Sequence, residues 1–237
     1  MRDRKIPLDP ITVRNSGRPG KGTDRVIPGP TVGHLSRYLR AFAQFERDGV
    51  PVISSRELAS AADLSPDVVR RDLAYFGQFG RRGIGYDVKT LGAKVKGILG
   101  LSRSWGVAIV GVGHLGMSLL QYGGFEKAGF TVEAAFDSDP SKVGWELEGV
   151  KIWPVGSLGQ VLREKKIDIA ILTVPASQAQ RVTDELVDAG IRAILNFAPV
   201  RLSVPPTLLV RGVDLASEME HLTYFLDKKK ASRPSRR

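Results

Sequence analysis

The 237-residue chain is 42% hydrophobic and 25% charged, the composition of a soluble globular protein large enough for one big domain or two smaller ones. No apolar run approaches the roughly 20 residues of a membrane span, and "MRDRKIPLDP" lacks a signal-peptide core, so the expectation is a cytoplasmic protein with no membrane partner. The absence of cysteine and the scatter of the three histidines, His34, His114 and His221, argue against disulfides, thiolate catalysis and a bound metal.

The net charge of +10 belongs to the ends: residues 1–30 contribute +4, residues 228–237 contribute +6, and residues 31–227 balance at 22 basic against 22 acidic. The body is therefore not a nucleic-acid binder on charge alone. Residues 1–30 mix Pro, Gly, Asp and Arg without period and read as a disordered tail. From Thr31, Val32, Leu35, Leu39, Phe42 and Phe45 fall on one helical face that ends before Gly49 and Pro51. Ser54 and Glu57 form a capping box for a short second helix through Ala61. In "LSPDVVRRDLAYFG", Ser65 is the N-cap, Pro66 the first helical residue, Asp67 an acid in the first turn and Gly77 the stop.

Two short capped helices at this spacing read as a helix-turn-helix. Val68, Val69, Leu73 and Phe76 would face its core, leaving Arg70, Arg71 and Tyr75 toward a major groove. "FGQFGRRGIGYDV" reads as a small hairpin with Arg81 and Arg82 near its tip, which together with the helices makes a winged helix over 31–90. A linking helix, "VKTLGAKVKGILGL", and a basic turn follow over 88–104.

Strand and helix then alternate: strands near 106–110, 131–136, 167–173 and 192–196, and helices near 114–122, 157–165 and 176–189. That alternation predicts a parallel sheet covered on both faces, a Rossmann-type domain over 91–212. A last amphipathic stretch, "VDLASEMEHLTYFLD" at 213–227, presents Leu215, Met219, Leu222, Tyr224, Phe225 and Leu226 on a broad apolar stripe that must bury against its own core or a partner, before the basic tail at 228–237. The fold class is thus α/β with an α+β N-terminal domain.

"VAIVGVGHLGMSLLQY" carries Gly111, Gly113 and Gly116 directly after a strand and opening a helix. Gly111 permits the turn, Gly113 lets a pyrophosphate approach, and Gly116 packs helix on sheet, with Val112, His114 and Leu115 completing the loop. Asp137 ends the next strand, where a carboxylate accepts the ribose hydroxyls of NAD and repels the 2′-phosphate of NADP; Asp139 is the second choice. NAD(H) is the cofactor this pattern predicts. A dehydrogenase also needs an acid or base beside the nicotinamide, and no Ser-Lys-Tyr or His-Asp spacing supplies one. No catalytic residue is assigned, and the chain reads as a sensor and not an enzyme. The alternatives are an NAD-dependent dehydrogenase with an accessory helical domain, and a CoA-binding or purely structural Rossmann module.

"VVRRDLAYFGQFGRRGIGYDV", "VAIVGVGHLGMSLLQY", "AFDSDPSKVG", "LTVP" and "ILNFAPV", in this order, resemble the Rex family of bacterial redox-sensing repressors across residues 31–227. The resemblance implies a homodimer on an inverted-repeat, double-stranded DNA operator, with NADH and NAD+ as effectors and release by NADH. It implies a C-terminal helix that crosses to the other subunit in a domain swap. It places Ser65 and Tyr86 with the DNA-facing residues, and Thr173, Val174, Pro175, Asn196, Phe197 and Pro199 with the cofactor contacts. It also implies a polar switch of Arg40, Tyr122 and Asp214, with Tyr122 near the nicotinamide and Asp214, in the crossover segment, among the cofactor-binding residues. This chain carries His114 where the family often has Arg, so the pyrophosphate contact is expected to be weaker or to respond to pH, and Leu215 where an aromatic is familiar, so stacking of that residue on the nicotinamide is not expected.

Overall fold

The computed structural model describes residues 11–13, 25–80 and 83–231. The chain divides into two compact units, Met1–Ser102 and Arg103–Arg237.

The first unit opens with β1 (Ile11–Val13) paired antiparallel to β2 (Arg25–Ile27), so the expectation of a structureless tail over 1–30 fails at these two segments. "ITV" and "RVI" are rich in β-branched residues, which suit an extended ladder even inside a polar, Pro/Gly-rich stretch. Helix α1 (Gly29–Arg47) starts behind Pro28 and buries Leu35, Tyr38 and Phe42. Each large side chain of this kind, fully buried, contributes about 1.5–3 kcal/mol. After β3 (Val52–Ile53), α2 (Ser55–Ala62) is closed by the expected capping box: Glu57 N–H donates to Ser54 Oγ at 3.2 Å, and Ser54 N–H donates to the Glu57 carboxylate at 2.7 Å. Asp63 then adopts a left-handed conformation (φ 53°), and the chain turns into α3 (Pro66–Ala74), whose Val68 N–H donates to Ser65 Oγ at 3.3 Å. Val69 and Leu73 fill the core, as the helical period predicts.

The wing differs from the expected local hairpin. No described residue between Phe76 and Gly85 is in a strand; β4 (Tyr86–Asp87) pairs instead with β3, Ile53 opposite Tyr86. The alternation that suggested a hairpin is broken by glycines at positive φ, Gly77, Gly80, Gly83 and Gly85, which turn the chain and leave β4 to find a distant partner. Arg81 and Arg82 lie outside the described residues. Helix α4 (Val88–Ile98), capped by Asp87, packs on α1. The first unit accordingly runs to Ser102, beyond the boundary read from sequence at 90.

The second unit contains β5 (Trp105–Val110), α5 (His114–Leu120), α6 (Gly124–Lys127), β6 (Phe130–Asp137), β7 (Glu146–Leu147) and β8 (Val150–Pro154). These are followed by α7 (Leu158–Glu164), β9 (Ile169–Leu172), α8 (Ala176–Asp188), β10 (Ala193–Asn196), β11 (Leu209–Gly212) and α9 (Leu215–Ala231). The seven strands run in the order β11-β10-β9-β5-β6-β8-β7, all pairings parallel except β7 on β8. Counted from β5 outward this is the doubly wound dinucleotide-domain order, with the direction of winding reversing between β5 and β9. Val107–Val110 are buried on both faces, which explains why β5 reads as an unbroken apolar run. The sequence reading missed β7, β8 and β11, which are short or edge strands with weak periodicity.

Candidate dinucleotide cleft and nucleic-acid interface

At the carboxyl end of β5 the chain enters the glycine loop at the switch point, where open α/β sheets bind their ligands. Gly111 has φ 96°, and a Cβ there would stand 2.7 Å from the Thr173 carbonyl oxygen. A Cβ on Gly116 would meet the Gly111 carbonyl oxygen at 2.0 Å, so only glycine lets α5 lie this close to the strand. A Cβ on Gly113 would meet nothing within 4 Å, leaving the loop open on the side a diphosphate would approach. Val112 is buried, while His114 and Leu115 are exposed beside it. From across the switch point Thr173 Oγ1 donates to the Gly111 carbonyl at 2.6 Å, with Val174 half-buried and Pro175 at the N-cap position before α8.

Asp137 ends β6 as expected, yet its carboxylate is engaged by the protein itself. It is buried and accepts the Val112 N–H at 2.7 Å and the Asp139 N–H at 2.8 Å, and Lys142 Nζ stands 3.4 Å away. An ionised carboxylate offers about four acceptor positions, so room remains for a ribose hydroxyl, but the first role visible here is to brace the glycine loop. Lys142 also faces Asp139 at 3.7 Å. The Asp139 carboxyl is held below the usual carboxylate range chiefly by hydrogen bonds from the Ser141 hydroxyl and N–H, helped by the Lys142 charge. Sequence reasoning missed Lys142; the signal for it lies in "DSDPSK", an acidic turn closed by a lysine five residues past Asp137.

At the other end of the cleft, Asn196 is buried and turned into its own loop. Its amide donates to the Ala198 and Val200 carbonyls at 3.1 and 3.0 Å and its oxygen accepts the Ala198 N–H at 2.9 Å. It shapes the "NFAPV" turn, a role the motif did not disclose; Phe197 is half-buried against the core and Pro199 is exposed. Tyr122 is 58% exposed and meets Phe125 edge-on with ring centroids 5.1 Å apart. Asp214 caps α9, accepting the Ala216 and Ser217 N–H groups at 3.0 and 3.2 Å. No hydrogen bond joins it to Tyr122, and Arg40 is exposed on α1 of the first unit. Leu215, 62% exposed, opens α9, and Met219, Leu222, Tyr224, Phe225 and Leu226 are exposed along it. Among the described residues these apolar side chains of α9 therefore stay exposed, where the sequence pattern calls for burial against a core or a partner.

In the first unit α3 presents Arg70 and Arg71, both exposed, with Tyr75 half-buried at its carboxyl end. Arg70 donates to Ser55 Oγ at 3.0 Å and pairs with Asp67. Tyr86 on β4 is close enough to feel the Arg70 charge, although burial dominates and pushes its phenol above the ordinary tyrosine value. Ser54, Ser55, Arg70 and Tyr86 line one groove of about 360 Å³ with the glycines that precede β4. Ser65 spends its hydroxyl on the helix cap.

These two units define a class: a helix-turn-helix module joined to a Rossmann domain whose glycine loop is shaped for a dinucleotide. A family model described as "CoA binding domain" matches residues 102–200, and one described as "Putative DNA-binding protein N-terminus" matches residues 26–74. Redox-sensing transcriptional repressor Rex of Desulfitobacterium hafniense is 46% identical over 205 residues, covering 86% of this chain and 98% of that protein. Its counterpart in Syntrophobacter fumaroxidans is 46% identical over 201 residues, covering 84% and 96%. Among solved structures, RSP, a Rex-family repressor, in complex with beta-NAD+ and operator DNA superposes with a TM-score of 0.82 at 34% identity, covering 87% of this chain and 95% of RSP. RSP in complex with beta-NADH gives a TM-score of 0.79 at 33% identity, covering 87% and 97%. The chain belongs to the Rex family of redox-sensing transcriptional repressors.

Proposed function

We propose that this chain is a DNA-binding transcriptional repressor that senses NADH against NAD+. It acts in the cytoplasm as a homodimer on an inverted-repeat operator and leaves the DNA when NADH binds. The observation that carries the reading is the likeness, over 87% of the chain, to a repressor captured with both beta-NAD+ and operator DNA. The Gly111–Gly116 loop would cradle the diphosphate, Asp137 with Lys142 beside it would meet the adenosine ribose, and Thr173, Val174, Pro175 and Phe197 would flank the rest of the ligand. NAD(H) supplies a nicotinamide that is a flat cation when oxidised and a neutral ring when reduced. An apolar surround disfavours the cation by its desolvation cost, which gives Phe197 and Leu215 a way to favour NADH once a partner covers them.

The uncovered apolar side chains of α9 support a dimer in which this helix packs on the second subunit. Arg40, Tyr122 and Asp214 would then carry the switch between nicotinamide and DNA-reading unit. Arg70, Arg71, Tyr75, Arg81, Arg82 and Tyr86 would meet the operator, with Ser65 beside the backbone. Because the relatives are repressors, the dehydrogenase alternative is set aside. Linkage supplies the test: whatever factor NADH takes from operator affinity, operator must take from NADH affinity. Calorimetric titration of NADH into the free protein and into its DNA complex, with CoA as a control ligand, should show equal factors and no CoA binding. Identical NADH affinities in the two titrations, or tighter binding of CoA than of NADH, would remove the reading.

A further inference from the structure

Asp72 is the single buried charged side chain of the first unit among the described residues. It sits on α3 directly after Arg70 and Arg71, 3% exposed while both arginines face solvent. Three donors from α1 converge on its carboxylate: Thr31 Oγ1 donates to Oδ1 at 2.9 Å, and Tyr38 OH and His34 Nδ1 donate to Oδ2 at 2.7 and 2.8 Å. Positions 31, 34 and 38 lie on one face of α1, so one helix grips the other through a single carboxylate. Burial, then the hydrogen bond to Asp72, pushes the Tyr38 phenol above the ordinary tyrosine value, which keeps it a proton donor at this contact.

Apolar side chains could join these helices as firmly, since replacing buried polar groups with packed apolar ones is often neutral or stabilising. What three directional hydrogen bonds add is geometry: they fix both the rotation of α3 about its axis and its position along it. A helix advances 1.5 Å and turns 100° per residue, so a small slip would carry Arg70 and Arg71 off a base edge. We propose that Thr31, His34 and Tyr38, acting through Asp72, are positioning residues that set the pose of the reading helix and hence its sequence discrimination. The inference rests on the DNA-binding reading above, and it assigns these residues to specificity more than to affinity, because phosphate contacts supply most of the sequence-independent binding.

The test uses the full chain and a duplex that the wild-type protein enriches from a random pool, compared with a scrambled duplex of equal length at each of several matched salt concentrations. Thr31→Val removes the hydroxyl at nearly constant volume, Thr31→Ser keeps it, and Tyr38→Phe removes only the phenol oxygen. Thr31→Val and Tyr38→Phe should each cut the ratio of selected to scrambled affinity by about tenfold or more, a coupling of about 1.4 kcal/mol. Thr31→Ser should stay near wild type, and scrambled binding, its salt slope and NADH affinity should hold. An unchanged ratio in Thr31→Val, or an equal loss on both duplexes, overturns the proposal. If Tyr38→Phe does not fold, the Thr31 pair decides alone. A wild-type protein that enriches no sequence would instead overturn the DNA-binding reading itself.

Discussion

Replacing Asp137 with alanine separates bracing of the glycine loop from contact with a ligand. Val112 is 1% exposed, and its N–H donates to the Asp137 carboxylate at 2.7 Å. Asp137→Ala leaves this donor buried without a partner, at a cost of about 1–3 kcal/mol; the Asp139 N–H and Lys142 lose the same carboxylate but lie nearer solvent. Calorimetry should therefore record a melting temperature lower by about 3–10 °C for the second unit. NADH loses an acceptor for its ribose and a preformed loop for its diphosphate, so its affinity, read by fluorescence titration, should weaken by about tenfold or more, equivalent to about 1.4 kcal/mol. Operator binding without nucleotide should be preserved, because Asp137 lies outside the helix-turn-helix unit. A lowered melting temperature with unchanged NADH affinity would mean that Asp137 only braces the loop. Unchanged values of both would refute the buried hydrogen bond as well.

Gly116→Ala places a methyl 2.0 Å from the Gly111 carbonyl oxygen; forcing α5 off the strand should cost about 1–3 kcal/mol and abolish NADH binding in a titration that leaves DNA binding intact. Arg70→Ala should remove operator binding in an anisotropy assay while NADH affinity stays at the wild-type value, and retained operator binding would place the reading surface elsewhere. The Glu57 carboxyl is held below its ordinary value by the Ser54 N–H and hydroxyl, so the capping-box contribution is full above the usual carboxylate range and is lost as pH falls through the depressed value. Thermal melts between about pH 6 and 3 should accordingly be less acid-sensitive in Glu57→Gln than in wild type; equal slopes would contradict the assignment.

What could be read in advance was whatever a local pattern encodes. The capping box of α2, the Ser65 cap of α3 and the helical periods of α1 to α3 carry their own signals, as do the apolar run of β5 and the glycine spacing that follows it. Asp137 could be placed at the end of β6 because strand ends and loop spacing are local too. The misses are long-range. β4 looked like half of a hairpin because its true partner, β3, lies on the far side of two helices. Asp72 carries no sign of burial, since its three donors come from α1, 34 to 41 residues away. Asn196 was legible as part of a motif, but only the folded turn shows its amide spent on Ala198 and Val200. Helix α9 announced an apolar surface, and among the described residues its apolar side chains remain exposed.

The central claim is that nicotinamide state controls DNA binding, and its most direct test is anisotropy of a labelled duplex enriched by the protein itself, titrated at fixed salt with NADH and then with NAD+. Release by NADH at concentrations where NAD+ leaves the complex intact is the predicted result. DNA binding indifferent to both nucleotides would contradict the account, and the glycine loop would then have to serve another ligand.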